Sequence, residues 1–479
     1  MKRIFAIIAA LGTLAACTSE SQLPNPDGKG SIWAINGIPG SPFIQFRIEE
    51  RALATLEYKQ AAAPAEYDNF EYNFNFDVAI PGETEQDRIA TITLQVEVGR
   101  EHVFAVTGTL DAPVITTWTT DLREWDEAET VFEARVAHLS ATLGEVDVFI
   151  QDPADPLVAG GQVARLAAGE IMDFADFEEG TYQVSVTAAG DINTLHFQSS
   201  GVTLGARTSN TISLFDGNEN DTGPYVAGLM TAAGVSFSLT DPAYLPTARF
   251  INAAQTLPAA DVYRDEALTD LVATNILWGV PTADVEVTAE ETTFYFTPTG
   301  STATTLFSQN VGSIPPGVPS DVFVVGDTDD WNAVALVADR ASATTVAKFS
   351  IYHGAFNNQT FDVYIKERDA ELLEDDFPLV VGLPFGFPST TLALAAGSYD
   401  VYLAELATKN VIGGPYALDV ALGVDAPERI QLFPGIELLE RQFQHCLDTP
   451  AQARVGRVEV SVSGRVGYSP VHGNRGAVP

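Results

Sequence analysis

Arg135-Val136-Ala137-His138, resuming at Asp147-Val148-Phe149-Ile150, is the stretch that decides the fold, because the chain repeats it. Arg249-Phe250-Ile251-Asn252 is followed by Asp261-Val262-Tyr263, and Ser350-Ile351-Tyr352-His353 by Asp362-Val363-Tyr364-Ile365. A fainter copy, Trp33-Ala34-Ile35-Asn36 and then Gln45-Phe46-Arg47-Ile48, stands near the front. In all four, nine positions separate the His or Asn from the Asp or Gln.

Two and four residues before each His or Asn stand apolar or small side chains, such as Val136 and Ala134 or Phe250 and Ala248. Side chains of a strand alternate between faces, so these share one inward face with the His or Asn at the strand's end. A buried polar group needs a partner. The loop that follows carries Gly144, Pro258, Asn357-Asn358 or Pro39-Gly40, residues suited to turns. The expectation is a clamp: Asn36, His138, Asn252 and His353 bond the loop backbone, and Asp147, Asp261 and Asp362 bond N–H groups at turns. A metal or catalytic dyad is the other reading. It fits poorly with Asn standing for His in two copies and Gln45 for Asp in one.

The pattern of apolar strand, His/Asn, short loop and Asp-Val-Tyr/Phe resembles the bacterial DUF4397 domain. Residues 248–265 (ARFINAAQTLPAADVYRD) and 132–150 (FEARVAHLSATLGEVDVFI) match it best, and the resemblance covers most of 130–434 and, more weakly, 31–127. It implies β-sandwich modules of cell-envelope proteins and supplies no catalytic residue.

Strand–turn–strand units recur as well. Thr211–Phe215 precedes an acidic turn and Tyr225–Leu229, Val322–Val325 precedes Gly326–Asp330 and Trp331–Val337, and Ile430–Phe433 precedes Pro434-Gly435. Tyr182 and Tyr399 are 217 positions apart and Phe215 and Phe433 are 218 apart, so two repeats fill that distance and each is near 109. Units of that size, with short strands between turn signals, predict an all-β tandem array of about four immunoglobulin-like β-sandwich repeats. The repeats are expected at 31–127, 128–241, 242–341 and 342–434, with an insertion at Ala61–Phe76 of the first.

Ahead of the array, Lys2-Arg3, an apolar run over Ile4–Leu14 and Leu14-Ala15-Ala16-Cys17 form a secretory signal whose end resembles a bacterial lipobox. The resemblance implies a signal peptide over 1–16, lipid attachment at Cys17 and a membrane partner held through that lipid. Thr18 rather than Asp after the cysteine points to the outer membrane of a Gram-negative cell. Residues 17–30 read as a flexible tether. Residues 435–479 lose the acidic bias, with Arg441, Arg454, Arg457, Arg465 and Arg475 against Glu437, Glu440, Asp448 and Glu459. They read as an extension without a core, the alternative being a tail docked on the acidic body.

The 479 residues hold 64 acidic and 25 basic side chains, a net charge of −39. That balance excludes nucleic acid, whose affinity rests on Lys and Arg against phosphate. Cys17 and Cys446 cannot staple four domains. Asp216, Asn218, Asn220 and Asp221 place oxygens at near-alternating positions, as calcium loops do, but without the twelve-residue pattern. Calcium is therefore a weak candidate and no other cofactor is expected. No nucleophile elbow, zinc-helix motif or phosphate loop is present, so no enzyme is expected. Trp33, Trp118, Trp125, Trp278 and Trp331 offer faces that sugars stack on, or core and junction packing. The sequence thus predicts a non-catalytic, lipid-anchored spacer or interaction module. The second reading is a surface adhesin for glycan or a calcium-bridged partner.

Overall fold

A computed structural model describes residues 26–78, 86–231, 236–328, 330–341, 343, 346–354, 360–420 and 430–432. The expected signal peptide, Cys17, most of the tether, Asp329, Asn357, Asn358, Cys446 and the tail 435–479 lie outside the described residues. The described chain is all-β and β-sandwich-like: each of its regular elements is a strand.

Alternation builds these strands. Along Ile44–Ile48, Ile44, Phe46 and Ile48 are buried while Gln45 and Arg47 are half-exposed. In the first segment, one sheet runs Ala65–Asp68, Lys29–Asn36, Arg100–Gly108, Pro113–Asp121. The facing sheet runs Arg51–Leu56, Ile44–Ile48, Glu71–Val78, Asp87–Gln95. The residues expected as an insertion, Ala61–Phe76, are instead framework: they supply Ala65–Asp68 and most of Glu71–Val78. Their polar residues misled because Tyr67, Tyr72 and Asn73 sit on half-exposed or exposed faces, whereas Phe74 and Phe76 are core.

The second and third segments repeat the plan. Val131–His138 pairs in parallel with Ser209–Asp216, which pairs antiparallel with Tyr225–Thr231. Thr247–Asn252 pairs in parallel with Pro319–Asp327, which pairs antiparallel with Asp330–Val337. In the fourth, Ile351–His353 pairs in parallel with Ile430–Leu432, opposite a sheet of Val380–Leu383, Phe361–Glu367, Gly397–Glu405 and Val411–Val420. Each segment thus opens on a lead strand whose parallel partner comes from its far end, which ties the whole segment into one folding unit.

The lead strands are buried on both faces. In Val131–His138, seven of eight residues are buried, Glu133 and Arg135 included. One face holds Phe132, Ala134 and Val136 in the segment's own core. The other sends Ala137, with Leu139, Phe215, Val226 and Met230, into the core of the first segment. Burying side chains the size of Leu139, Phe215 and Met230 stabilises this junction by about 1.5–3 kcal/mol each. A smaller apolar cluster joins the third segment to the fourth, where the rings of Phe323 and Tyr352 stack 4.0 Å apart.

Candidate functional site

The repeated polar residues sit at the ends of the lead strands and are fully buried. Asn36 donates to Ser41 Oγ (2.8 Å) and the Leu56 carbonyl (3.2 Å) and accepts from the Ile38 N–H (3.0 Å). Asn252 donates to the Leu257 carbonyl (3.4 Å) and accepts from the Ala254 N–H (3.0 Å). The Nε2 of His138 lies 2.9 Å from the Gly144 carbonyl, so that nitrogen carries the proton and donates. His353 packs its ring against Phe361 (4.2 Å) and Phe385 (5.8 Å), and its loop at 355–359 is outside the described residues.

The aspartates belong to the opposite sheet and hold different partners. Asp261 accepts from the Gly300 and Asn275 N–H groups and from Thr274 Oγ1, each at 2.8 Å. Burial alone would raise its pKa, but these donors outweigh it and hold the carboxyl below its ordinary value. Asp362 accepts from the Gly382 and Ala407 N–H groups (2.8 and 2.9 Å). Asp147 takes Arg165 in a two-pronged pair (2.7 and 2.9 Å) and the Gly190 N–H (2.7 Å), and the guanidinium keeps its carboxyl low. Gln45, the fourth counterpart, accepts from Arg47 (2.9 Å). These contacts tie Asn36, His138 and Asn252 to the loops that follow them and Asp147, Asp261 and Asp362 to turn N–H groups; the polar residue and the aspartate of each copy are not joined by any of them.

A second cap covers the carbonyl at the end of each lead strand. The N–H groups of Lys59, Gly169, Gly279 and Gly386 donate to the carbonyls of Asn36, His138, Asn252 and His353 at 2.7–2.8 Å. All four donors lie at positive φ, between 70° and 86° in the left-handed region (70°, 86°, 72° and 81° in order). Glycine suits that conformation and lysine does not. Lys59 is therefore the exception, and its side chain shows what it gains there. Its ammonium reaches the second segment, bonding Asp221 Oδ2 (2.5 Å) and Asn218 Oδ1 (3.3 Å). Tyr58 beside it donates to the Asp216 carbonyl (2.9 Å), and burial, with Asp216 and Asp221 nearby, pushes its phenol up.

The turn holding the candidate calcium residues is thus the meeting point of several segments. Asp216 accepts from Ser140 Oγ, Thr142 Oγ1 and the Ala141 N–H. Asn220 donates to Asp339 (3.0 Å) and accepts from the Arg340 N–H, both in the link between the third and fourth segments. Asp339 accepts also from Lys348 (3.1 Å) and Thr391 (3.1 Å) of the fourth segment. Burial works to raise the Asp339 pKa, yet Lys348 and Asn220 hold it below the ordinary range. Lys348 then bonds Glu57 of the first segment and lies 5.9 Å from the Phe43 ring. Each of Asp216, Asn218, Asn220 and Asp221 thus has a side-chain oxygen engaged by protein donors, one of them a cation. Among the described residues no group of three His, Cys, Asp or Glu side chains is arranged to hold a metal.

A third junction contact is Arg135. Its guanidinium is buried and bonds Glu101 (2.6 Å) and Thr120 (3.0 Å) of the first segment and Thr211 (2.9 Å) of its own. Glu101 also accepts from Trp33 Nε1 (2.8 Å). Trp33 and Trp118 are buried, and Trp125, Trp278 and Trp331 are half-buried on separate elements. Arg123 stacks on Trp125 at 4.0 Å, and Trp331 donates to Thr256 (3.2 Å).

Sequence reading missed Glu57, Lys59, Asp339 and Lys348. The offset from the repeated His or Asn to the cap residue runs from 23 for Lys59 to 33 for Gly386, so no fixed period aligns them. The usable signal was scarcity: the chain has six lysines, and Lys59 and Lys348 are two of them. Compared with known proteins, the chain matches no family model and no curated protein.

Proposed function

We propose that this protein is a non-catalytic envelope spacer or interaction module. In this reading its four immunoglobulin-like repeats are of the DUF4397 kind, and lipid at Cys17 anchors it to the outer membrane. The observation that carries the reading is the junction of Glu57, Lys59, Asn220, Asp221, Asp339 and Lys348, which cross-links all four segments. A protein that spends its scarce cations on fixing its domains to one another is built to hold a shape. The test is the mass and membrane partition of the mature protein: an acylated N-terminal cysteine is expected, lost in Cys17→Ser. A wild-type protein without acyl mass would overturn the anchor.

The fourth segment favours interaction over pure spacing, because Phe377 is 91% exposed and Val381 and Phe387 are exposed nearby in sequence. A protein or glycan partner is the second reading. Its calcium-bridged form requires the metal to displace Lys59 from Asn218 and Asp221. Melting the protein with chelator and then with millimolar calcium tests it, since a ligand of the native state raises the melting temperature. No shift would remove calcium from the reading.

A further inference from the structure

The first segment carries a slot at one side of its sandwich. Among the described residues Ala65–Asp68 and Arg51–Leu56 are edge strands of its two sheets. Between them opens a cavity of about 260 Å³. Ile32 and Phe46, both buried, lie beneath it, and Leu53 and Ala65 form its walls. In the second segment the corresponding ring, Phe177, stacks on Phe132 across the ladder (5.4 Å). In the first segment Gly30 stands at the Phe132 position, so Tyr67 has no ring across the ladder from it. Tyr67 lies edge-on to Tyr72 instead (5.8 Å) and borders the slot.

Two charged side chains line the slot and are exposed at its mouth, Arg51 and Glu66. Among the described residues every other arginine pairs with a carboxylate or, at Arg207, bonds the Glu127 carbonyl. Arg51 has no side-chain hydrogen bond or ion pair, although the chain holds 64 acidic side chains against 25 basic ones. Glu66 does not pair with it or with another cation among the described residues. We propose that this slot binds a small zwitterion with an apolar body, an apolar α-amino acid. Arg51 takes the carboxylate, as guanidinium forks do. Glu66 takes the ammonium, and the side chain enters between Leu53 and Ala65 over Phe46. Size agrees, since an apolar cavity of about 150 Å³ holds benzene and drug-sized ligands occupy roughly 300 Å³ or more. Net charge agrees as well. A free anion is repelled by a body of charge −39, whereas a zwitterion carries no net charge. Such a site is independent of the lipid anchor and of the junction between segments.

Calorimetric titration of the full chain with L-leucine and L-phenylalanine tests this, beside isocaproate, which lacks leucine's ammonium, and isopentylamine, which lacks its carboxylate. At least one of the amino acids is expected to bind at millimolar concentration, and both analogues about tenfold more weakly or worse, each having lost one charge-assisted contact. Arg51→Gln and Glu66→Gln alter exposed side chains and leave the core intact, so an unchanged melting temperature certifies both variants as folded. Arg51→Gln should bring leucine down to the level of isopentylamine, and Glu66→Gln down to that of isocaproate. Binding of neither amino acid to the wild type, or binding undiminished in Arg51→Gln, would overturn the proposal. Isocaproate binding as tightly as leucine would overturn the zwitterion and make the slot a site for a plain carboxylate.

Discussion

His138 illustrates how much one buried side chain can fix. Its Nε2–H bond to the Gly144 carbonyl closes the loop between two sheets, so His138→Ala removes a bond and leaves a buried carbonyl without its donor. A loss of about 1–3 kcal/mol is expected in denaturant unfolding of the second segment, and an unchanged midpoint would refute the clamp. His102 makes a pH prediction. It is buried, accepts from the Glu97 N–H (3.0 Å) and lies 3.1 Å from Thr119 Oγ1, which leaves the proton on Nδ1. Burial lowers its pKa from the ordinary 6.5, with Glu97 and Glu101 opposing and Arg100 assisting. Below that value the unfolded chain takes up the proton first, so stability present at pH 7 is lost as pH falls. Melting from pH 7.5 to 5 should show a decline that is shallower in His102→Gln. The repeated His, Asn and Asp could be read from the sequence because their spacing is constant. Lys59 could not, because its partners Asn218 and Asp221 are more than 150 positions away in the chain.

At the scale of elements, alternation and turn residues made the strands legible. Ile44–Ile48 and Asp87–Gln95 follow the two-residue period closely. The hairpin joining Pro319–Asp327 to Asp330–Val337 depends on Gly326, whose φ is 115° and where an added Cβ would stand 2.1 Å from the Asp330 carbonyl oxygen. Gly326→Ala should cost at least about 1 kcal/mol in the third segment, read from its unfolding midpoint. An unchanged midpoint would mean the hairpin shifts freely. Ala61–Phe76 was misjudged because its strands are edge or partly exposed, and exposure erases the apolar signal on which strand reading relies.

For the whole molecule, the decisive contacts join residues far apart in the chain. Lys348 is 6% exposed and links Glu57 to Asp339, bringing the fourth segment against the first. Lys348→Ala would leave two carboxylates facing each other without their cation. A loss of about 1–3 kcal/mol is expected, discounted for the partial exposure of both acids. The radius of gyration in solution scattering should rise as the fourth segment separates, and an unchanged radius would show that the apolar junctions alone hold the shape.

The sequence by itself determined the all-β class, the repeated lead strand with its buried His or Asn, and the turns that end each strand. These depend on neighbours within a few residues and on a period of two. Only the tertiary structure decided that the lead strand Val131–His138 is buried on both faces, that Lys59 and Lys348 cross between segments, and that the acidic turn 216–221 is a junction. The physical reason is that a strand's pattern states which face is apolar, whereas the occupant of the other face is set by whichever distant surface it meets.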